Sequence, residues 1–110
     1  MKLFVIDWSK ESTTPLLEYC KRSGHKVVGF ELKDGGEAYK KTANCKAVAI
    51  VVNYAEKPSH GRITAQQIRA RKATAELPIY FIDGTEEDNE KVANIGICLS
   101  TEELQDLLET

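Results

Sequence analysis

Ala47-Val48-Ala49-Ile50-Val51-Val52, followed by Asn53, is the stretch on which the fold turns. Six apolar residues in a row, four of them β-branched, predict a strand buried on both faces at the centre of a sheet. Four further short apolar runs, at residues 3–6, 27–30, 79–82 and 97–99, have the same character. Between successive runs lie segments with helical patterning. Strands that alternate with helices imply a parallel sheet covered on both sides. The expected architecture is therefore a three-layer α/β/α domain with a five-stranded parallel sheet in the flavodoxin-like order 2-1-3-4-5. At 110 residues the chain makes one such domain, residues 1–110.

The segments between the runs carry their own punctuation. Thr14-Pro15 predicts an N-cap with proline in the first turn, and Ser23-Gly24 a stop. Asp34-Gly35-Gly36 reads as a turn before a short helix over residues 37–44. Residues 53–61, with Pro58 and Gly61, read as the longest loop, leading to a helix over residues 63–76. Asp83-Gly84 turns the chain, Thr85 caps a polar helix over residues 86–94, and Ser100-Thr101-Glu102-Glu103 is a capping box for the last helix.

Composition removes several function classes. No apolar stretch approaches the roughly 18 residues of a membrane span, and the opening apolar run is short and meets Asp7 at once, unlike a signal peptide. Cys20, Cys45 and Cys98 are odd in number and lack metal-ligand spacing, so they read as free thiols of a cytoplasmic protein. Only His25 and His60 are present, far apart, and no metal site is expected. The net charge of −2 hides a split: residues 1–82 carry +6 and residues 83–110 carry −8. The basic stretch Lys57, Arg62, Arg69, Arg71 and Lys72 contains no acid. A polarised surface of this kind predicts a weak, salt-sensitive homodimer. Nucleic acid is not the expected partner, because the isoelectric point is 5.7 and no aromatic interleaves the basic stretch.

In Asp34-Gly35-Gly36-Glu37-Ala38, in the central apolar run with its Pro58/Gly61 loop, in Ile68-Arg69, in Leu77-Pro78-Ile79-Tyr80-Phe81-Ile82 and in Thr101-Glu102-Glu103-Leu104, the chain resembles the receiver domain of response regulators. The resemblance implies a regulatory role and covers nearly the whole length. At the functional positions the chain departs from the family. Receivers place two adjacent acids after the first strand to hold magnesium; here Asp7 is followed by Trp8. Asn53 stands where the family has its phosphoacceptor aspartate, Asp83 where it has a hydroxyl, with Thr85 two residues later. Leu99-Ser100-Thr101 fills the place of its lysine. An amide is neither a nucleophile for phosphoryl transfer nor a strong ligand for a hard cation. The resemblance thus implies a receiver-like domain without the phosphoacceptor.

The Gly-containing loop, the Ala-rich helix and Leu77–Ile82 are also similar to nucleoside 2-deoxyribosyltransferases and TIR-like hydrolases. That resemblance implies an enzyme acting on a nucleotide, with a catalytic glutamate where Gln66 and Gln67 stand here.

In a sheet of order 2-1-3-4-5 the switch point lies between strands one and three, and ligands bind at the carboxyl edge there. Asp7, Trp8, Asn53 and Tyr54 should flank that crevice, with Asp83 and Thr85 further along and His60 and Arg62 at the start of the following helix. An aromatic for stacking, polar groups for orientation and a basic helix start suit a nucleotide or other phosphate-bearing small molecule. Asp7, Trp8, Asn53, His60, Arg62, Asp83 and Thr85 are the candidate ligand-binding residues. No catalytic residue and no resident cofactor is expected. A binding or regulatory module is the leading reading, a nucleotide-acting enzyme the alternative, and a structural subunit the third.

Overall fold

The computed structural model describes residues 1–109. One sheet of five parallel strands runs in the order β2-β1-β3-β4-β5. The strands are β1 (Lys2–Ile6), β2 (Lys26–Glu31), β3 (Ala49–Asn53), β4 (Ile79–Ile82) and β5 (Ile97–Leu99). They are joined through α1 (Pro15–Arg22), α2 (Gly35–Thr42), α3 (Pro58–Ala70), α4 (Glu86–Glu90) and α5 (Thr101–Glu109), with a 3-10 turn at Lys72–Thr74. This is the flavodoxin-like architecture expected from the alternation of apolar runs and helices.

Strand periodicity divides the core in two. Successive side chains of β1 point to opposite faces. Phe4 and Ile6 join Ile50, Val52 and Phe81 under α2 and α3, while Leu3 and Val5 join Ala49 and Val51 under α1 and α5. Both faces of β1 and β3 are closed to water, which is why their sequences are continuously apolar rather than alternating. One close approach demands glycine. The β1–β2 register slips after Leu3, so that Phe4 pairs with Gly29 and its ring covers that position; a Cβ there would sit 2.8 Å from Phe4 Cε2.

The caps explain where elements begin. Thr14 accepts from the Leu17 N–H at 3.1 Å with Pro15 in the first turn. Ser100 and Glu103 form the reciprocal capping box of α5, at 2.9 and 3.1 Å.

Five expectations need correction. The Asp34-Gly35-Gly36 stretch is not a turn before the helix: Asp34 is the N-cap, accepting from Gly36 and Glu37, and α2 starts at Gly35. The loop after β3 is short, because Pro58 opens α3 and places Ser59, His60 and Gly61 in its first turn. The longest connection is instead residues 7–14. Helix α3 stops at Ala70, where Arg71 turns extended and the Thr74 hydroxyl takes up the Ile68 carbonyl. Helix α4 ends at Glu90, and none of its five residues is buried. The central strand starts at Ala49, since Lys46 has φ +58° and the chain joins the sheet only at the Val48 N–H, which donates to the Lys2 carbonyl. No helix among the described residues is long and apolar enough to cross a membrane.

Candidate functional site

Pairing of β1 with β3 sets Ile6 beside Val52, and so brings Asp7 and Asn53 together at the carboxyl edge. Asn53 Oδ1 accepts from the N–H groups of Ala55 and Glu56, at 3.0 and 3.4 Å. Those two donors fix the amide's orientation, so its Nδ2 must face Asp7, and it donates to Asp7 Oδ1 at 2.9 Å. The Trp8 N–H donates to the same oxygen at 2.7 Å. Asp7 is only 2% exposed, and its other oxygen, Oδ2, has no hydrogen-bond partner. A buried carboxylate oxygen left so costs at least about 1–3 kcal/mol. Trp8 Nε1 is likewise buried and unpartnered.

A cleft of about 610 Å³ opens over this pair and runs between α1 and α5. Pro15, Leu16, Tyr19 and Leu104 give it apolar walls; Asp7, Glu11, Glu56 and Asp83 give it four carboxylates, against a single base, Arg22. Burial, with Glu109, Cys20 and Asp106 adding to it, holds the Tyr19 phenol above its ordinary pKa and hence neutral. Trp8 is the partition between this cleft and a second groove of about 390 Å³, lined by Ser9, Lys10, Leu32, Lys33 and Lys57. The two hollows therefore have opposite electrostatic character on either side of one indole.

Of the seven residues singled out from sequence, Asp7, Trp8, Asn53 and Asp83 line the cleft together. Asp83 is also bound locally: it has φ +60°, and its carboxylate accepts from the Thr101 N–H at 2.8 Å and from the Thr101 hydroxyl. His60 lies on the first turn of α3, exposed, and meets Trp8 edge-on at 5.5 Å. Arg62 is turned toward the Tyr54 hydroxyl, 3.2 Å away, and does not line the cleft. Tyr54 itself is fully buried, donating to the Asp88 carbonyl at 2.8 Å. Thr85 caps α4 through the Asp88 N–H and lies outside both hollows. The residues that sequence reasoning missed, Glu11, Tyr19, Arg22 and the three groove lysines, hang on residues 7–14 or on neighbouring elements. The available signal was the length of the 7–14 connection.

No family model matches the chain, and no curated protein does. Among solved structures, the chain is similar to the signal receiver domain of a modulated diguanylate cyclase from Desulfovibrio desulfuricans G20, described as an example of alternate folding. The two share 19% identity and a TM-score of 0.69 over 97% of this chain and 86% of that one. The fold is thus that of a receiver-like, flavodoxin-like domain. The transferase and TIR-like alternative is not favoured by this likeness, and Gln66 and Gln67 are both exposed on α3, outside the cleft.

A receiver-like fold raises the question of magnesium. The donors here do not suit it. The Asn53 NH₂ points at Asp7 Oδ1, presenting N–H hydrogens where a hard cation needs an oxygen. Among the described residues no group of three or more His, Cys, Asp or Glu side chains could hold a metal ion.

Proposed function

We propose that this receiver-like domain is a regulatory binding module that works without phosphoryl transfer. It takes a phosphate-bearing ligand, a nucleotide or a simpler anion, at the carboxyl edge of the sheet. The observation that carries this reading is the groove beside Trp8, where Lys10, Lys33 and Lys57 converge next to an aromatic wall. Helix α3 starts directly after Lys57 without a side-chain cap, so its first N–H groups add to the attraction for an anion. His60 packs edge-on against Trp8, the aromatic wall of this groove. Three free cysteines accord with a reducing, cytoplasmic setting, and the charge split with a weak homodimer.

Two measurements test the reading. Titration with phosphate and with adenine nucleotides, followed by NMR amide shifts, should move Ser9, Lys33 and Ser59 at millimolar ligand. Substituting Lys57 by Met should weaken binding several-fold, in line with about 1 kcal/mol for a charge-assisted contact at the surface. Shifts confined to the opposite edge of the sheet overturn it. Incubation with a small phosphodonor and magnesium should leave the intact mass unchanged, and a stoichiometric base-labile adduct would show that transfer does occur.

A further inference from the structure

We propose that the acidic cleft between α1 and α5 binds an organic cation, a protonated alkylamine or guanidine. Its charged head is held at Asp7 and its apolar stem along Leu16 and Tyr19. This is a different hollow from the lysine groove, and it takes a ligand of opposite sign.

Three observations converge on it. Asp7 is 2% exposed and lines the cleft, and only one of its two oxygens is used; Oδ2 has no partner. A carboxylate oxygen shut away from water is best satisfied by a charged N–H donor. The cleft carries Asp7, Glu11, Glu56 and Asp83 against Arg22 alone. The ion pairs among the described residues are Glu37–Lys40, Glu31–Lys41 and Asp88–Lys91, so none of these four carboxylates is neutralised by a lysine or arginine of its own chain. Finally, the volume of about 610 Å³ is that of a small-molecule site, with apolar side chains forming part of its wall.

The same geometry that disfavours a metal suits an ammonium. A bare divalent ion needs several oxygens converging on one point, and here the Asn53 NH₂ occupies one side of the carboxylate. An ammonium or guanidinium donates along separate directions, so it can use Oδ2 while the Asn53 contact on Oδ1 stays in place.

Trp8 is the only tryptophan of the chain and lines the cleft, so its fluorescence reports occupancy without a label. The wild-type protein is titrated with n-butylammonium, with neutral n-butanol and with magnesium. A saturable millimolar response to n-butylammonium is expected, with none to butanol and no competition from magnesium. Asp7→Asn should weaken the amine at least fivefold. Glu56→Gln, at an exposed position, should weaken it two- to threefold with the circular dichroism unchanged, and this keeps the test decisive if Asp7→Asn folds poorly. Nα-acetyl-lysine amide separates the sources: binding equal to n-butylammonium assigns the cleft to a lysine presented by a partner chain, and weaker binding to a free amine. An equal response to butanol, an affinity indifferent to Glu56→Gln, or displacement by equimolar magnesium overturns the proposal. Phosphate binding at the groove is read on Lys57→Met, so either reading can fail while the other stands.

Discussion

Glu31 shows how one side chain at the end of a strand organises the next connection. Burial alone would push its carboxyl group up. The Lys41 ammonium at 2.7 Å, with the N–H groups of Lys33 and Asp34 both at 3.0 Å, outweighs burial and holds the group below the ordinary glutamate range. The depressed value makes the charged form the stabilising one. Glu31→Gln should therefore cost about 1–2 kcal/mol at neutral pH. The full difference from wild type should persist above the unfolded glutamate pKa of about 4.3 and close as pH falls through the lower folded value. Urea unfolding of both proteins across that range checks it. Asp7 is the contrasting case. Its Oδ2 is buried without a donor, so Asp7→Asn in the absence of ligand should raise stability by about 1 kcal/mol. A rise in Tm for the variant is the expected reading, and a clear fall would mean that the carboxylate is satisfied in solution. Cys20 needs no such test of reactivity, since burial pushes its thiol up to about 11 and keeps it an inert core group.

At the scale of elements, α5 is fastened at its start more firmly than any other helix. Ser100 and Glu103 cap it reciprocally, and Asp83 reaches across from the end of β4 to the Thr101 N–H and hydroxyl. Asp83 also has a positive φ, which aspartate and asparagine tolerate better than alanine. Asp83→Ala should lose about 2 kcal/mol, from the cap and the backbone together, and Asp83→Asn markedly less. Thermal unfolding of the pair separates the two contributions. Which elements could be read from sequence depended on whether their signal was local. The caps at Thr14 and Ser100 were legible because side chain and helix start lie within three residues. The start of α2 was not, because two glycines after Asp34 look like a turn until packing is known. Gly61 misled in the same way. It sits inside α3 because that helix approaches β3 so closely that a Cβ would meet Val52 Cγ1 at 3.1 Å, a reason that only the tertiary structure supplies.

For the whole molecule, strand order and the meeting of Asp7 and Asn53 at one crevice followed from topology, and Trp8 and Asp83 line the same cleft. The rest depended on where long side chains turn, which spacing does not encode. Arg62 reaches the Tyr54 hydroxyl, Arg69 the carbonyls of Ile95 and Ala75, and Arg71 the Tyr39 carbonyl and Thr42 hydroxyl. These guanidinium groups clasp neighbouring elements, so much of the basic stretch acts inside the fold. Self-association through its charge should accordingly be weak: sedimentation velocity at low salt should show a small dimer fraction that vanishes at high salt. A monomer throughout, or a dimer indifferent to salt, would reject the electrostatic cause.

One contact at the amino edge reaches further than its size. The His25 ring lies 2.7 Å from the Met1 nitrogen through Nδ1 and 2.6 Å from the Leu108 carbonyl through Nε2. The first and last described turns of the chain thus meet at one imidazole, on the edge of the sheet away from both hollows. A short glycine-serine bridge between those two ends, with new ends cut into the exposed turn at Asn44, should give a circular permutant that folds and keeps the carboxyl edge of its sheet unchanged. By the same geometry, the domain could be spliced into a surface loop of a fluorescent protein, entering and leaving through a single doorway. The carboxyl edge of the sheet would then face outward from the host.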